Sequence, residues 1–186
     1  PIAETIGALG ELVTQGKIRE FGCSNFTAQM LDDAAAATPP GAPGFVSVQN
    51  QYNILHRDPE DGVLDECERL SLGFLPFFPL ASGLLSGKYR RGEPAPEGTR
   101  LAAMGDRAAS QLTDERLTQV ASLNELAERE GHTVLDLAFG WLLSRPAVTS
   151  VIAGATRPEQ VRANVAAGQW RPSEEMLREV NAIAPR

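Results

Sequence analysis

Four short stretches of this 186-residue chain end in side chains suited to holding a ligand: Ser24 and Asn25, Gln49 and Gln51, Phe77 and Phe78, and Gly154 to Thr156. Hydroxyls and amides offer donors and acceptors to a polar head group, aromatic rings offer a flat apolar surface, and small residues admit close approach of backbone. Thr156 and Glu159 have the T-x-x-E spacing of a capping box, which predicts a helix start whose free N–H groups and positive dipole end, beside Gly154 and Ala155, receive an anion. Taken singly, each group has a bland reading. Ser24 and Asn25 are typical helix caps, Gln49 a satisfied interior amide, and Phe77 and Phe78 core residues, of which one faces the ligand rim and the other packs against helices because neighbours on a strand point oppositely.

The other reactive residue types form no constellation. Cys23 and Cys67 are far apart, with no C-x-x-C pair and no histidine cluster, so buried, inert thiols in a reducing, cytoplasmic setting are expected rather than a zinc site or a disulfide. His56 and His132 lack partners at ligand spacing and read as surface or capping residues, and no metal site is expected. Lys88 and Arg100 are by default solvated charges. With 24 acidic against 17 basic residues, net charge −7, the chain does not have the cation excess of a nucleic-acid binder. Nor does any apolar run approach the roughly 20 residues that span a bilayer. The expectation is a soluble protein with neither nucleic acid nor membrane as partner.

The elements that must position these groups alternate. Aliphatic runs predict strands at 17–22, 45–50, 73–78 and 148–153. Between and around them lie helical patterns. Ile6, Leu9, Leu12 and Val13 share one face of a helix over 3–15 that stops at Gly16. Thr27 caps a second helix that Pro39 and Pro40 end, and Asp58 with Pro59 starts a third. After a long Gly- and Pro-rich loop over 82–110, Thr113 caps a fourth pattern, a fifth runs from Val134 to Leu142 and ends before Pro146, and two short helices close the chain. Strands alternating with amphipathic helices imply right-handed parallel crossovers and an α/β class. The first two strand-to-strand steps, Lys17 to Phe45 and Phe45 to Gly73, are close to the ~30 residues per unit of a (β/α)8 barrel, which four strands cannot close. No G-x-G-x-x-G follows any strand, so an open dinucleotide-binding sheet lacks its usual mark.

Four segments in order, GKIREFGCSNF (16–26), VQNQYNILHR (48–57), FFPLASGLLSGKY (77–89) and VIAGATRPEQVRAN (151–164), resemble the aldo-keto reductase family, and the likeness covers nearly the whole chain. The resemblance implies a parallel (β/α) half-barrel, strands five to eight of a TIM-type (β/α)8 barrel, with residues 1–186 as a single partial domain. It also implies an NADP-linked reductase of aldehydes and ketones, NAD being the alternative because Gln160 stands where many members carry Arg, with Arg157 nearby to supply the charge. By the family's pattern Ser24, Asn25 and Gln49 hold the nicotinamide carboxamide and Phe77 stacks on the ring. Pro79, Leu80, Ser82 and Gly83, with Lys88 and Arg100, belong to the loop over the pyrophosphate, and Gly154, Ala155, Thr156, Gln160 and Asn164 to the adenosine end.

The family's catalytic Asp, Tyr, Lys and His come from the first four strands, so none is carried over here, and Tyr52 and Tyr89 do not match the catalytic position. An isolated chain is therefore expected to be inactive. A second expectation, from another class, is a non-catalytic half-barrel that binds nucleotide or associates with itself or another half through two open strand edges.

Overall fold

The computed structural model describes residues 1–90, 92–105, 108 and 111–186. It opens on α1 (Ile2–Thr14), which buries Ile6 and ends at Gly16, whose φ of +68° is a backbone state open to glycine without a β-carbon clash. Three parallel strands follow in the order β1 (Phe21–Ser24), β2 (Phe45–Gln49) and β3 (Gly73–Phe74). Their crossovers are α2 (Ala28–Ala37) and α3 (Val63–Leu70). Gly22 lets β1 and β2 approach closely: a β-carbon there would sit 2.6 Å from the Ser47 carbonyl oxygen.

The strand limits differ from the sequence expectation for definable reasons. Residues 17–20 turn the chain off α1, through bonds from Lys17 and Ile18 N–H to the Leu12 carbonyl, so pairing begins at Phe21 rather than Lys17 and Ser24 closes the strand. Regular β3 pairing stops after Phe74, short of the expected Phe78. Pro76 has no N–H to give the ladder, and Phe78 leaves extended geometry with φ +52°. Pairing resumes only as a parallel bridge between Gln51 and Phe77. The fourth expected strand, 148–153, is an extended edge joined to β3 by a parallel Phe74–Val148 bridge, with Thr149 N–H donating to Phe74 O and Ile152 N–H to Pro76 O.

Helix caps follow the sequence closely. Thr27 accepts from Met30 N–H at the start of α2, and Thr113 from Arg116 N–H at the start of α5 (Asp114–Arg129). Thr133 and Asp136 form a full capping box on α6 (Val134–Leu143), which is buried nearly all round through Leu137, Ala138, Phe139, Trp141 and Leu142. Two expected starts are corrected. Asp58–Glu60 forms a 3-10 turn, and α3 begins after Gly62, whose φ of +96° redirects the chain. Thr156 and Glu159 do not form a capping box: α7 (Pro158–Ala167) starts at Pro158, behind Arg157. A last helix, α8 (Glu174–Ile183), packs on α5.

The main core gathers Leu31, Val48, Phe74, Leu123, Trp141 and Val180 from elements along most of the chain, with a smaller cluster of Ile6, Phe21 and Ala34 under α1. Val46 and Ile152, at 41% exposure each, remain uncovered. Of the long loop expected over 82–110, the described part contains a kinked 3-10 segment (Ala81–Ser86) and the one-turn α4 (Arg100–Ala103); Ser110 lies outside the described residues.

Candidate functional site

The C-terminal ends of the strands bring most of the candidate residues to one rim. Ser24 and Gln49 are register partners across β1 and β2, and the carbonyl of Gln49 accepts two bonds at 2.9 Å, from Ser24 Oγ and from Asn25 N–H. Asn25 Nδ2 donates in turn to Ser24 Oγ (3.3 Å), with Asn25 held at φ +60°. Asparagine tolerates this left-handed state better than other side-chain-bearing residues. All three side chains are exposed, and none is bonded to a helix, as a cap would be. The bland reading of Ser24 and Asn25 as caps therefore fails; the cap of α2 is Thr27.

The strand after Gln49 continues as an irregular segment that grips the next rim residue from both sides. Phe77 N–H donates to Asn50 O (3.0 Å), and Tyr52 N–H donates to Phe77 O (3.3 Å). Phe77 is half-buried and Phe78 exposed, and their rings meet edge-on with centroids 5.3 Å apart. The expected division of one ring to the rim and one to the helices is not observed for Phe78: strand alternation ends where φ turns positive.

Beyond them, Ala81, Ser82 and Gly83 all have positive φ (46°, 59° and 100°), coiling the chain tightly with Pro79 and Leu80 inside the turn. Two cations reach this loop. The Arg100 guanidinium lies 4.9 Å from the Phe78 ring centroid, and the Lys88 stem passes beside Gly83 with its ammonium 5.9 Å from the Tyr89 ring centroid. Neither is paired with a carboxylate among the described residues, so both charges are available to an anion.

The last segment extends this rim, because Ile152 N–H is bonded to Pro76 O. Gly154, Ala155 and Thr156 are exposed, and Ala155, Thr156, Arg157, Pro158, Val161 and Arg162 line an open depression. Gln160 closes the turn that the capping box was expected to close: its Oε1 accepts from Thr156 N–H (2.7 Å) and Thr156 Oγ1 (3.1 Å). Asn164 is half-buried one turn further along α7, with no side-chain bond to the rest of the rim.

The remaining reactive groups lie elsewhere. Burial raises the Cys23 thiol to about 11 and the Cys67 thiol to about 12, as inert thiols require. Tyr52 is fully buried and donates to Glu60 Oε1 at 2.7 Å; burial first, then that bond, pushes its phenol far above the usual range. Burial pulls the Glu60 carboxyl upward, but the Arg57 fork, the Tyr52 bond and the Arg145 charge outweigh it and hold it below the usual carboxylate range. His56 approaches Asp58 at 3.6 Å, and His132 stacks on Trp170 and caps toward Asp136 at 3.8 Å.

A model of the Aldo/keto reductase family matches residues 1–185. The chain belongs to that family. Among curated proteins it is similar to the L-glyceraldehyde 3-phosphate reductase of Escherichia coli O157:H7, 34% identical over 90% of this chain and 49% of that protein. It is also similar to the aldo-keto reductase YhdN of Bacillus subtilis, 32% identical over 98% of this chain and 54% of that protein. Among solved structures, the glycerol dehydrogenase AKR11B4 from Gluconobacter oxydans superposes with a TM-score of 0.82 at 27% identity, covering 98% of this chain and 54% of that one. The aldo-keto reductase chain thus spans about half the length of the relatives it matches. Among the described residues no helix is long and apolar enough to cross a membrane, and no three metal-ligating side chains cluster.

Sequence reading of this family member missed Asn53, a fully buried polar residue that bonds the Phe78 carbonyl. No local signal separates a buried asparagine from an exposed one; its place between two strand-end bonds is visible only in three dimensions.

Proposed function

We propose that this chain is the C-terminal part of an NAD(P)H-dependent aldo-keto reductase, forming strands five to eight of its barrel, and that its rim holds the cofactor. The observation that carries this reading is the hydrogen-bonded meeting of Ser24, Asn25 and Gln49 beside Phe77. A carboxamide needs both donors and acceptors, and among the described residues the side-chain amide of Gln49 and the Oδ1 acceptor of Asn25 have no hydrogen-bond partner. The fit is therefore chemical as well as positional.

Bound there, the nicotinamide supplies a hydride for carbonyl reduction. The residues of this chain orient and hold. Ser24, Asn25 and Gln49 fix which ring face is offered, and Phe77 gives that ring a flat apolar neighbour. Pro79, Leu80, Ser82 and Gly83 shape the pyrophosphate turn, with Lys88 and Arg100 balancing its charge. Gly154, Ala155, Thr156, Gln160 and Asn164 take the adenosine end. Gln160 is uncharged and its Oε1 is taken by Thr156, so the cations at hand for a 2'-phosphate are the exposed Arg157 and, 3.9 Å from Glu159, Arg162, which supports NADP over NAD in this reading. The acid–base residues belong to strands outside this chain, so its part in the reaction is cofactor binding, in a cytoplasmic enzyme.

Titration with NADPH and NADH, followed by nicotinamide fluorescence, tests the assignment. NADPH is expected to bind more tightly, Phe77→Ala to weaken it, and NADPH oxidation with an added aldehyde to be absent; lack of any nucleotide binding, or family-like turnover by this chain alone, overturns it.

A second reading, a self-associating half-barrel, draws on the uncovered Val46 and Ile152 and on Val161 and Val165, exposed four residues apart on α7. Sedimentation distinguishes the two: a monomer at all concentrations removes the pairing, while a dimer supports it.

A further inference from the structure

Asn53 is fully buried, and the surroundings use both ends of its amide. Its Oδ1 accepts from Leu55 N–H at 2.9 Å, and its Nδ2 donates to the carbonyl of Phe78 at 2.9 Å. Its own backbone is fixed by a reciprocal pair with His56, at 3.1 and 3.0 Å. The bond to Phe78 falls at a costly place. Phe78 has φ +52°, a state that disfavours a bulky side chain and persists only where neighbours over-determine it.

The same carbonyl accepts from Ala81 N–H (3.0 Å), so Asn53 and Ala81 together hold the first peptide of the turn that leads into Ser82 and Gly83. On its other side lies Phe77, already paired to Asn50 and Tyr52. One buried amide thus ties the expected ring platform to the expected pyrophosphate turn.

We infer that Asn53 is a positioning residue for the nicotinamide end of the cofactor: it clamps Phe78 in the left-handed state and so sets the placement of the Phe77 ring and the direction of the 78–83 turn. The inference rests on the cofactor reading above. It adds a residue that touches no ligand and acts through Phe78. The adenosine end, on residues 154–164, has no bond to Asn53 and stands apart from the clamp.

The test is Asn53→Ser, which keeps a small polar side chain but cannot span the distance, measured on the intact chain with two probes, NADPH and adenosine 2',5'-bisphosphate. The expected result is NADPH binding weakened roughly tenfold, the size of one lost hydrogen bond in a buried setting, with bisphosphate affinity within about twofold of the parent. Amide exchange at Ala81 and Gly83 should also quicken in the ligand-free chain. A second change guards against a trivial folding defect: Phe78→Asn, which favours positive φ, is expected to restore much of the NADPH affinity when added to Asn53→Ser. Equal weakening of both probes, unchanged NADPH binding, or no rescue overturns the clamp. If the parent chain binds neither probe, the cofactor reading fails and takes this inference with it; if the parent binds and the variant binds alike, the clamp alone fails.

Discussion

Two polar clusters, one that includes Gln49 at the end of β2 and one centred on Glu60 in the 3-10 turn that follows, are built on opposite principles. At the rim, Ser24, Asn25 and Gln49 are exposed and leave an amide and a carbonyl oxygen unengaged. Behind it, Glu60 accepts from Tyr52, Arg57 and Arg145, while Arg57 also bonds the Ala184 carbonyl and both guanidiniums lie over Trp141, 5.2 and 4.6 Å from its ring centroid. This internally bonded cluster ties the 3-10 turn, α6 and the end of α8 together, with Arg145 Nε and Trp141 Nε1 in it buried without a hydrogen-bond partner among the described residues. Charge that is paired internally serves architecture, and the polar groups left open at the rim are the ones the proposed function gives to the cofactor.

The largest effect should come from breaking the internally paired side. Glu60→Gln removes the shared carboxylate and leaves two half-buried cations short of a partner, at an expected cost of about 3 kcal/mol in urea unfolding. The same carboxylate sets a pH dependence. Its folded value is lowered, so its contribution is fully present above the ordinary glutamate range and is lost as pH falls through the lowered folded value; acid melts of the parent should show this loss and those of Glu60→Gln should not.

On the rim the expected pattern is reversed. Gln49→Ala should weaken NADPH binding about tenfold, as for one lost hydrogen bond, while moving the thermal midpoint little, since no group among the described residues bonds its side-chain amide. A large loss of stability in that variant would erase the contrast. Arg100→Ala should weaken NADPH several-fold, with a smaller loss at high salt because the contact is exposed and ionic. The smallest effect is expected at Tyr89, whose buried hydroxyl has no hydrogen-bond partner among the described residues: Tyr89→Phe should leave stability unchanged or raise it by up to about 1 kcal/mol in the same urea titration.

Much of the architecture was legible because local rules act strongly here. Thr27 and Thr113 cap the helices their spacing predicts, and the aliphatic starts of β2 and β3 mark where parallel pairing lies. The candidate rim was legible as a set of residue types at strand ends. Where the reading missed, tertiary geometry decided. Pro76 and the positive φ of Phe78 cut β3 short, and Gln160 rather than Glu159 closed the turn at Thr156.

The sequence by itself determined the α/β alternation and the residue types at the candidate rim, because these depend on hydrophobic period, caps and side-chain chemistry carried by contiguous residues, and the resemblance of its four segments gave the family. Only the tertiary structure decided that Ser24 and Gln49 share a register, that Arg100 and Lys88 converge on one turn, and that Asn53 is buried against Phe78. Those relations join residues about 12 to 25 apart in sequence through strand pairing and a left-handed turn, and no local preference specifies which distant partner a polar group will find.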